Sequence, residues 1–166
     1  MRAGDLVEPF PTVGLSTDAV TAARTIGERR LPGLIVLDDD GVPHTVLGGS
    51  QVLRFMIPGY IQEDPALARV YDEDASDRLL GKLTHNTVAD LLPRRQERSE
   101  LPVVDADATT VEVAALMAQL HSPVVAVVED GRVLGAITVS RLFEHLFPDL
   151  PSTRSDTGSE AGGHDE

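Results

Sequence analysis

The sequence predicts an α/β (α+β) fold of two pseudo-symmetric β-α-β-β-α units that pack sheet to sheet, with an inserted helix. Two observations predict it. The chain contains an imperfect internal repeat, and each copy alternates between helical apolar spacing and short β-branched runs. Residues 31–57 (LPGLIVLDDDGVPHTVLGGSQVLRFMI) and 122–147 (SPVVAVVEDGRVLGAITVSRLFEHLF) are the most similar segments, and the turn is one residue shorter in the second.

The first copy contains one helix, a hairpin and a closing helix. Apolar residues recur at helical spacing between Asp18, a candidate N-cap, and Pro32, which ends the helix. The run LIVL, a D-D-D-G turn ending at Gly41 and a second apolar run predict two antiparallel strands. A Gly-Gly-Ser corner that begins at Gly48 then leads into a short closing helix, which Pro58 ends.

The second copy repeats this order. Thr109 and Glu112 have the spacing of a capping box at the start of a helix. The strand VVAVV, a turn ending at Gly131 and a second strand follow. The small polar corner at Thr138 then leads into a closing helix before Pro148. A short D-L-V or D-L-L segment precedes each copy.

The size of one copy predicts that the two halves depend on each other. A unit of some fifty to sixty residues buries only about 60% of its unfolded surface and is marginal alone, so the two should share a core. The cleft between them would lie beside the N-termini of the closing helices. Their unpaired N–H groups and positive dipole ends suit an anion. We divide the chain into unit 1 (1–58), an inserted helical segment (59–86), unit 2 (87–148) and a disordered tail (149–166).

Charge and composition exclude several classes of function. The formal net charge is −13 and the acidic excess is spread along the chain, so we expect no nucleic-acid binding and no membrane insertion. The nearest basic segment, residues 94–98, contains Glu97 and lacks aromatic residues. No apolar run approaches the ~20 residues of a membrane span, and there is no cysteine. These features predict a cytoplasmic protein.

The sequence offers no catalytic constellation and no metal site. It lacks the G-x-S-x-G, phosphate-loop and G-x-G-x-x-G patterns, and none of its five histidines stands at ligand spacing from another. The acidic cluster 72–77 lacks the interleaved glycine and terminal glutamate of a calcium loop, and it is typical of a solvated helix face. We therefore predict that the protein is not an enzyme.

The insert between the copies predicts one amphipathic helix. Asp64 and Pro65 have the form of an N-cap followed by proline at the first helical position. Apolar residues then recur at helical spacing, and this stripe would either cover the core or form a dimer contact. The stripe consists of Leu67, Val70, Tyr71, Ala75, Leu79 and Leu83.

These motifs together resemble a tandem CBS-domain pair, or Bateman module. The resemblance rests on the order β-α-β-β-α, the lead-in V-x-D-L-L-P (88–93), the hydrophobic–Asp–Gly turn and the ending G-A-I-T-x-x-x-L (135–142). It covers roughly residues 3–57 and 87–148. It implies a homodimer that binds an adenine nucleotide (AMP, ADP or ATP) or S-adenosylmethionine in its cleft and regulates an enzyme, channel or transporter.

The family's nucleotide motif ends in G-h-h-Thr/Ser-x-x-Asp, where the hydroxyl takes a phosphate and the Asp takes the ribose hydroxyls. The second copy has the Thr but carries Arg141 at the Asp position, and the first copy has Gly48 and Gln51 at the two positions. The alternative for the second corner is that Ser140 caps the helix and Arg141 is solvated. The residues predicted to contact ligand are Pro123, Val124, Thr138, Ser140 and Arg141 in the second copy, and Gly48, Ser50 and Gln51 in the first.

Loss of both ribose carboxylates leaves a second interpretation open. The chain would then be a CBS-fold scaffold without nucleotide binding that works by dimerisation and by docking through its insert.

Overall fold

The protein is built around two three-stranded sheets, seen in a computed structural model that describes residues 1–93 and 101–148. In each sheet the first strand is parallel to the second, and the second is antiparallel to the third. This arrangement confirms the predicted fold class. The strands are β1 (Thr12–Gly14), β2 (Gly33–Leu37) and β3 (Pro43–Gly48) in one sheet, and β4 (Val103–Asp105), β5 (Val124–Glu129) and β6 (Arg132–Thr138) in the other.

Short helices connect and cover these strands. The longest described helices, α2 and α7, have 11 residues each, and no helix in the described ranges is long and apolar enough to cross a membrane. The helices are α1 (Ala3–Leu6), α2 (Ala19–Arg29), α3 (Gly49–Met56), α4 (Gly59–Glu63), α5 (Glu73–Gly81), α6 (Val88–Leu91), α7 (Thr110–Leu120) and α8 (Val139–Leu146), with a 3-10 helix at Pro65–Val70.

The predicted caps of the two long helices have different outcomes. Thr109 and Glu112 form the predicted capping box, because the Thr109 hydroxyl accepts from the Glu112 N–H at 3.2 Å and the Glu112 carboxylate accepts from the Thr109 N–H at 3.4 Å. Asp18 occupies the predicted N-cap position of α2, but its side chain makes no capping hydrogen bond. At α2 the Ala19 N–H donates instead to the carbonyl of Asn86, at 3.0 Å.

Both hairpins close as their turn residues require. Asp130 (φ 49°) and Gly131 (φ 77°) both adopt positive φ between β5 and β6, as in a two-residue type I′ turn. In the first copy the Asp38 carboxylate accepts from the N–H groups of Asp40 and Val42, each at 2.9 Å. The extra residue of the first turn is therefore held by a side chain. Both hairpins have a register shift near the turn, between Val36 and Leu37 and between Val127 and Val128.

The short lead helices are exchanged between the halves. Helix α1, which opens the chain, buries Ala3 and Leu6 in a core with Val113 and Ile137 of the second half. Helix α6, which opens the second copy in the sequence, buries its apolar residues in a core with α2, β2 and β3 of the first half. The repeat in the sequence is therefore not the packing unit in space.

A third core joins the two sheets. Ile35 and Val46 of the first sheet pack against Val124, Ala126 and Ala136 of the second, and all five are buried. The contact places the start of β5 beside the middle of β3. The sheets therefore pack face to face, as the sequence predicts, and the ends of β3 and β6 lie at the junction between the halves.

The insert forms separate short helices rather than the single amphipathic helix that the spacing predicts. Asp64 does cap the 3-10 helix, accepting from the Ala66 N–H at 3.2 Å, but the chain turns extended at Tyr71 and Asp72 caps α5 anew. Because the helix is interrupted there, the apolar residues no longer share one face. Of the predicted stripe, only Ala75 and Leu83 are buried. The acidic residues of α5 are exposed, as expected of a solvated face.

Two sequence predictions concern residues outside the described ranges. The basic segment 94–98 lies between Pro93 and Leu101, and the tail predicted to be disordered is 149–166.

Candidate functional site

A cavity of about 750 Å³ lies where the two halves meet, at the corner between β3 and α3. The first half contributes the end of β3 and the first turns of α3. The second copy contributes the end of α6 and the residues after it, the residues before β4, and the loop between α7 and β5. The lining residues are Thr45, Val46, Gly48, Ser50, Gln51, Arg54, Phe55, Asp90, Leu91, Leu92, Pro93, Leu101, Pro102, Leu120, His121, Ser122 and Pro123.

The first turn of α3 is not capped by its N-cap residue. Gly48 holds that position with extended backbone and has no side chain to offer. The Gln51 side chain folds back over the corner, where its Oε1 accepts from the Gly48 N–H at 3.1 Å. The Gly49 N–H donates to the Pro32 carbonyl at 3.1 Å. The N–H groups of Ser50 and Gln51 have no intrahelical acceptor, so this corner presents two donors and the positive end of the helix dipole to the cavity.

The charges around the cavity have both signs. Arg54 lies one turn further along α3 than Ser50, and His121 ends α7 in the left-handed conformation (φ 51°). The carboxylate in the lining is Asp90, whose Oδ2 accepts from the Thr87 N–H at 2.8 Å and from the Thr87 hydroxyl at 3.2 Å. Leucines and prolines make up much of the remaining wall. Among the described residues, the cavity thus combines an arginine, a histidine, one carboxylate and apolar walls.

The corresponding corner of the second half is organised differently. Thr138 caps α8, because its hydroxyl accepts from the Arg141 N–H at 3.2 Å, and Ser140 is exposed. The alternative in which Ser140 caps the helix is therefore wrong. The Arg141 Nε donates to the Leu6 carbonyl at 3.4 Å and lies 3.7 Å from a Glu8 carboxylate oxygen, while its Nη1 lies 3.5 Å from Glu144.

The structure separates the predicted ligand residues into two groups. Gly48, Ser50, Gln51 and Pro123 all line the cavity at the first corner, although Pro123 comes from the other half of the chain. Thr138, Ser140 and Arg141 lie together at the second corner and are not in that lining. Val124 is fully buried in the core between the sheets.

Sequence reasoning missed five polar residues of the described lining: Thr45, Arg54, Asp90, His121 and Ser122. A signal existed for Arg54, since residues three and four apart share a helix face, and Arg54 lies on the face of Ser50 and Gln51. Asp90 and His121 reach the cavity only because the second half folds against the first. No local pattern reports that contact.

The fold and the site define a class of protein: a tandem repeat of β-α-β-β-α units with a ligand-sized cleft between its halves. Residues 88–148 match the family model of the CBS domain. A CBS domain-containing protein of unknown function from Kribbella flavida has a similar structure, with a TM-score of 0.75, 51% identity, and coverage of 88% of this chain and 98% of that one. The chain belongs to the CBS-domain family.

More distant solved structures share the fold. One is the CBS domain of a CBS domain-containing membrane protein from Sphaerobacter thermophilus (TM-score 0.63, 22% identity, 87% of this chain and 86% of that one). Another is CBSX2, a CBS-pair protein from Arabidopsis thaliana, in complex with AMP (TM-score 0.62, 22% identity, 89% and 96%). A comparison with curated proteins finds no match.

Proposed function

We propose that the protein is a regulatory module that binds an adenine nucleotide or related adenosyl ligand in the cleft at the β3–α3 corner and passes the signal to a partner protein. The observation that carries this proposal is the cavity, which joins an uncapped helix start, an arginine, a carboxylate and an apolar slot in one cleft. AMP in complex with the structurally similar CBSX2 supports the ligand class.

The phosphate fits the helix start. At the second corner the hydroxyl of Thr138 accepts from the N–H of the third helical residue, Arg141. At the first corner Gly48 provides no such acceptor for the equivalent N–H of Gln51. A phosphate oxygen would take the place of that hydroxyl, and Arg54 would add charge-assisted hydrogen bonds.

The base and the ribose have separate partners in the same cleft. Val46 lies on the outer edge of its sheet and lines the cavity, so its backbone can offer a donor and an acceptor to a base. Leu92, Pro102 and Pro123 supply apolar faces for the ring. Both bonds from Thr87 go to Oδ2 of Asp90, so Oδ1 remains an acceptor for the ribose hydroxyls. Asp90 thereby replaces the carboxylate that the family carries at the position of Gln51.

The cleft is suited to regulation because both halves form it. A ligand that contacts Arg54 on one side and His121 on the other favours one angle between the halves, and its differential affinity for the two angles supplies the energy of the response. We propose a homodimer as the working form and an enzyme, channel or transporter as the regulated partner.

A docking scaffold without ligand is the second candidate. The observation in its favour is the insert, where Val70 is 87% exposed and Leu67, Tyr60 and Tyr71 are also exposed. In that case the insert would be the contact surface for a partner, and the cleft would have no function.

Isothermal titration of the full chain with AMP, ADP, ATP and S-adenosylmethionine tests the proposal. Arg54→Gln should weaken binding by about 10- to 100-fold, the value of a hydrogen bond to a charged group. The control is Arg141→Gln, which removes an arginine from the other corner and should leave the affinity of the β3–α3 cleft unchanged. No binding by any of the four ligands would leave the scaffold as the function. An equal loss of affinity in both variants would show that the ligand does not bind specifically at the β3–α3 corner.

A further inference from the structure

The corner between β6 and α8 is the repeat counterpart of the corner between β3 and α3, and we call the positions beside them the second and the first cleft. We propose that the second cleft is occupied by the chain itself, so that each chain carries one open ligand cleft. The segment responsible is residues 7–9, here called the N-terminal strap, which leaves α1 and crosses the free edge of β6. This inference deepens the proposed function by assigning its stoichiometry, but its structural part does not depend on the ligand.

The strap pairs with the sheet edge that a ligand would need. Glu8 and Ala136 exchange two backbone hydrogen bonds, each 3.0 Å long. Ala136 is the repeat counterpart of Val46, the strand-edge residue that lines the first cleft. The backbone groups that are open to a base at Val46 are therefore already used at Ala136.

The approach of the strap is close enough to require glycine on β6. A Cβ built at Gly135 would overlap the carbonyl oxygen of Glu8 and would lie 3.0 Å from Cγ2 of Val7. The counterpart of Gly135 in the first copy is Thr45, whose side chain would prevent an equally close crossing of β3. The counterpart of Glu8 is Pro93, which has no N–H to donate. Within residues 1–93 and 101–148 no bridge joins Pro93 to Val46.

The cation of the second corner is also engaged by the strap. The Arg141 guanidinium holds the Leu6 carbonyl and faces the Glu8 carboxylate on one side and the Glu144 carboxylate on the other. Glu144 stands where the first copy has Arg54. The second corner therefore pairs its arginine with two acids, whereas the first corner directs its arginine toward a cavity.

The two clefts differ at two pairs of positions that correspond in the repeat. Glu8 and Gly135 close the second cleft, and Pro93 and Thr45 leave the first one open. Transplanting the residues of the first copy into the second should open it. The variant that does this is Glu8→Pro with Gly135→Thr.

Amide hydrogen exchange followed by NMR on the full chain tests the strap without any ligand. In the wild type we expect the Glu8 and Ala136 amides to exchange slowly and the Val46 amide to exchange fast. The double variant should lose protection at residue 136 and keep it at Ile137, the adjacent residue of the same strand. An Ala136 amide that exchanges as fast as that of Val46 in the wild type would overturn the proposal.

Arg141→Gln keeps the test decisive if the double variant does not fold. This surface change removes the bond to Leu6 and the ion pair with Glu8, so it should speed exchange at both Glu8 and Ala136. The matched control Glu144→Gln should not. Unchanged exchange of the Glu8 and Ala136 amides in Arg141→Gln would show that Arg141 does not hold the strap on β6, and it would contradict that part of the proposal.

Titration with AMP then gives the stoichiometry. We expect one AMP per wild-type chain and two per chain of the double variant. Two per wild-type chain would overturn the closed second cleft even if the exchange pattern were as expected. Absence of AMP binding to the wild type would count against the proposed function alone, since the exchange data decide separately whether the strap closes the cleft.

Discussion

Asp18 and Thr87 face each other in an antiparallel bridge, although they belong to different copies of the repeat. Arg2 and Thr109 form the equivalent bridge in the other half. Each long helix therefore begins against a lead helix that the sequence places with the other copy. This exchange ties the N-terminus of the chain to the stability of its second half.

Leu6→Ala should destabilise the protein by about 2 to 5 kcal/mol, the usual cost of a leucine removed from a core. Leu6 is 3% exposed and contacts the core of the second half. Urea unfolding measures the change in free energy, and Leu53→Ala, at a residue 58% exposed, is the control. A change within about 0.5 kcal/mol, as for a surface substitution, would contradict the exchange of lead helices.

Thr109→Ala should cost about 1 kcal/mol, because it removes a side-chain cap that the structure shows. Asp18→Ala, at the same position of the other long helix, should cost much less, since the Asp18 side chain caps nothing. Thermal unfolding of the two variants side by side measures the difference. Equal losses would mean that Asp18 caps α2 in solution.

Residues 1–58 alone should not fold cooperatively. In isolation this fragment would lack Val88 and Leu91 from the core of its own sheet and would expose Ile35 and Val46. Circular dichroism and thermal unfolding of the fragment, compared with the full chain, measure this. A sharp unfolding transition in the fragment would show that the core between the sheets is dispensable.

Tyr60→Phe should lower the pKa of Tyr71. The hydroxyl groups of Tyr60 and Tyr71 lie 2.6 Å apart, and this hydrogen bond is the main cause that raises the pKa of Tyr71 above its ordinary range. The positive charge of Arg78 acts in the opposite direction. The chain has two tyrosines and no tryptophan, so absorbance during an alkaline titration reports them directly.

In the Tyr60→Phe variant Tyr71 should ionise at a lower pH than in the wild type. Arg78→Gln provides the opposite control, because removal of the cation should raise the pKa of Tyr71 further. A titration of Tyr71 that Tyr60→Phe leaves unmoved would show that α4 and the 3-10 helix do not hold the two rings together.

Much of the fold could be predicted because its signals are local. The β-branched runs act through neighbouring residues and occur in both copies. The Asp130–Gly131 turn and the Thr109 capping box are equally local signals. The prediction of one continuous helix in the insert was wrong, and the reason is equally local. Asp72 caps a new helix, and a second capping aspartate interrupts the apolar spacing that suggested one helix.

By itself the sequence determined that this chain contains two sheet-forming halves with a glycine-rich corner in one and a Thr138 corner in the other. The tertiary structure decided which half each lead helix completes, and that Asp90 and His121 reach the cleft of the first half. It also decided that Glu8 lies on the edge strand of the second half. The physical reason is that these contacts join residues far apart in the chain. They form because each half is too small to bury its apolar surface without the other.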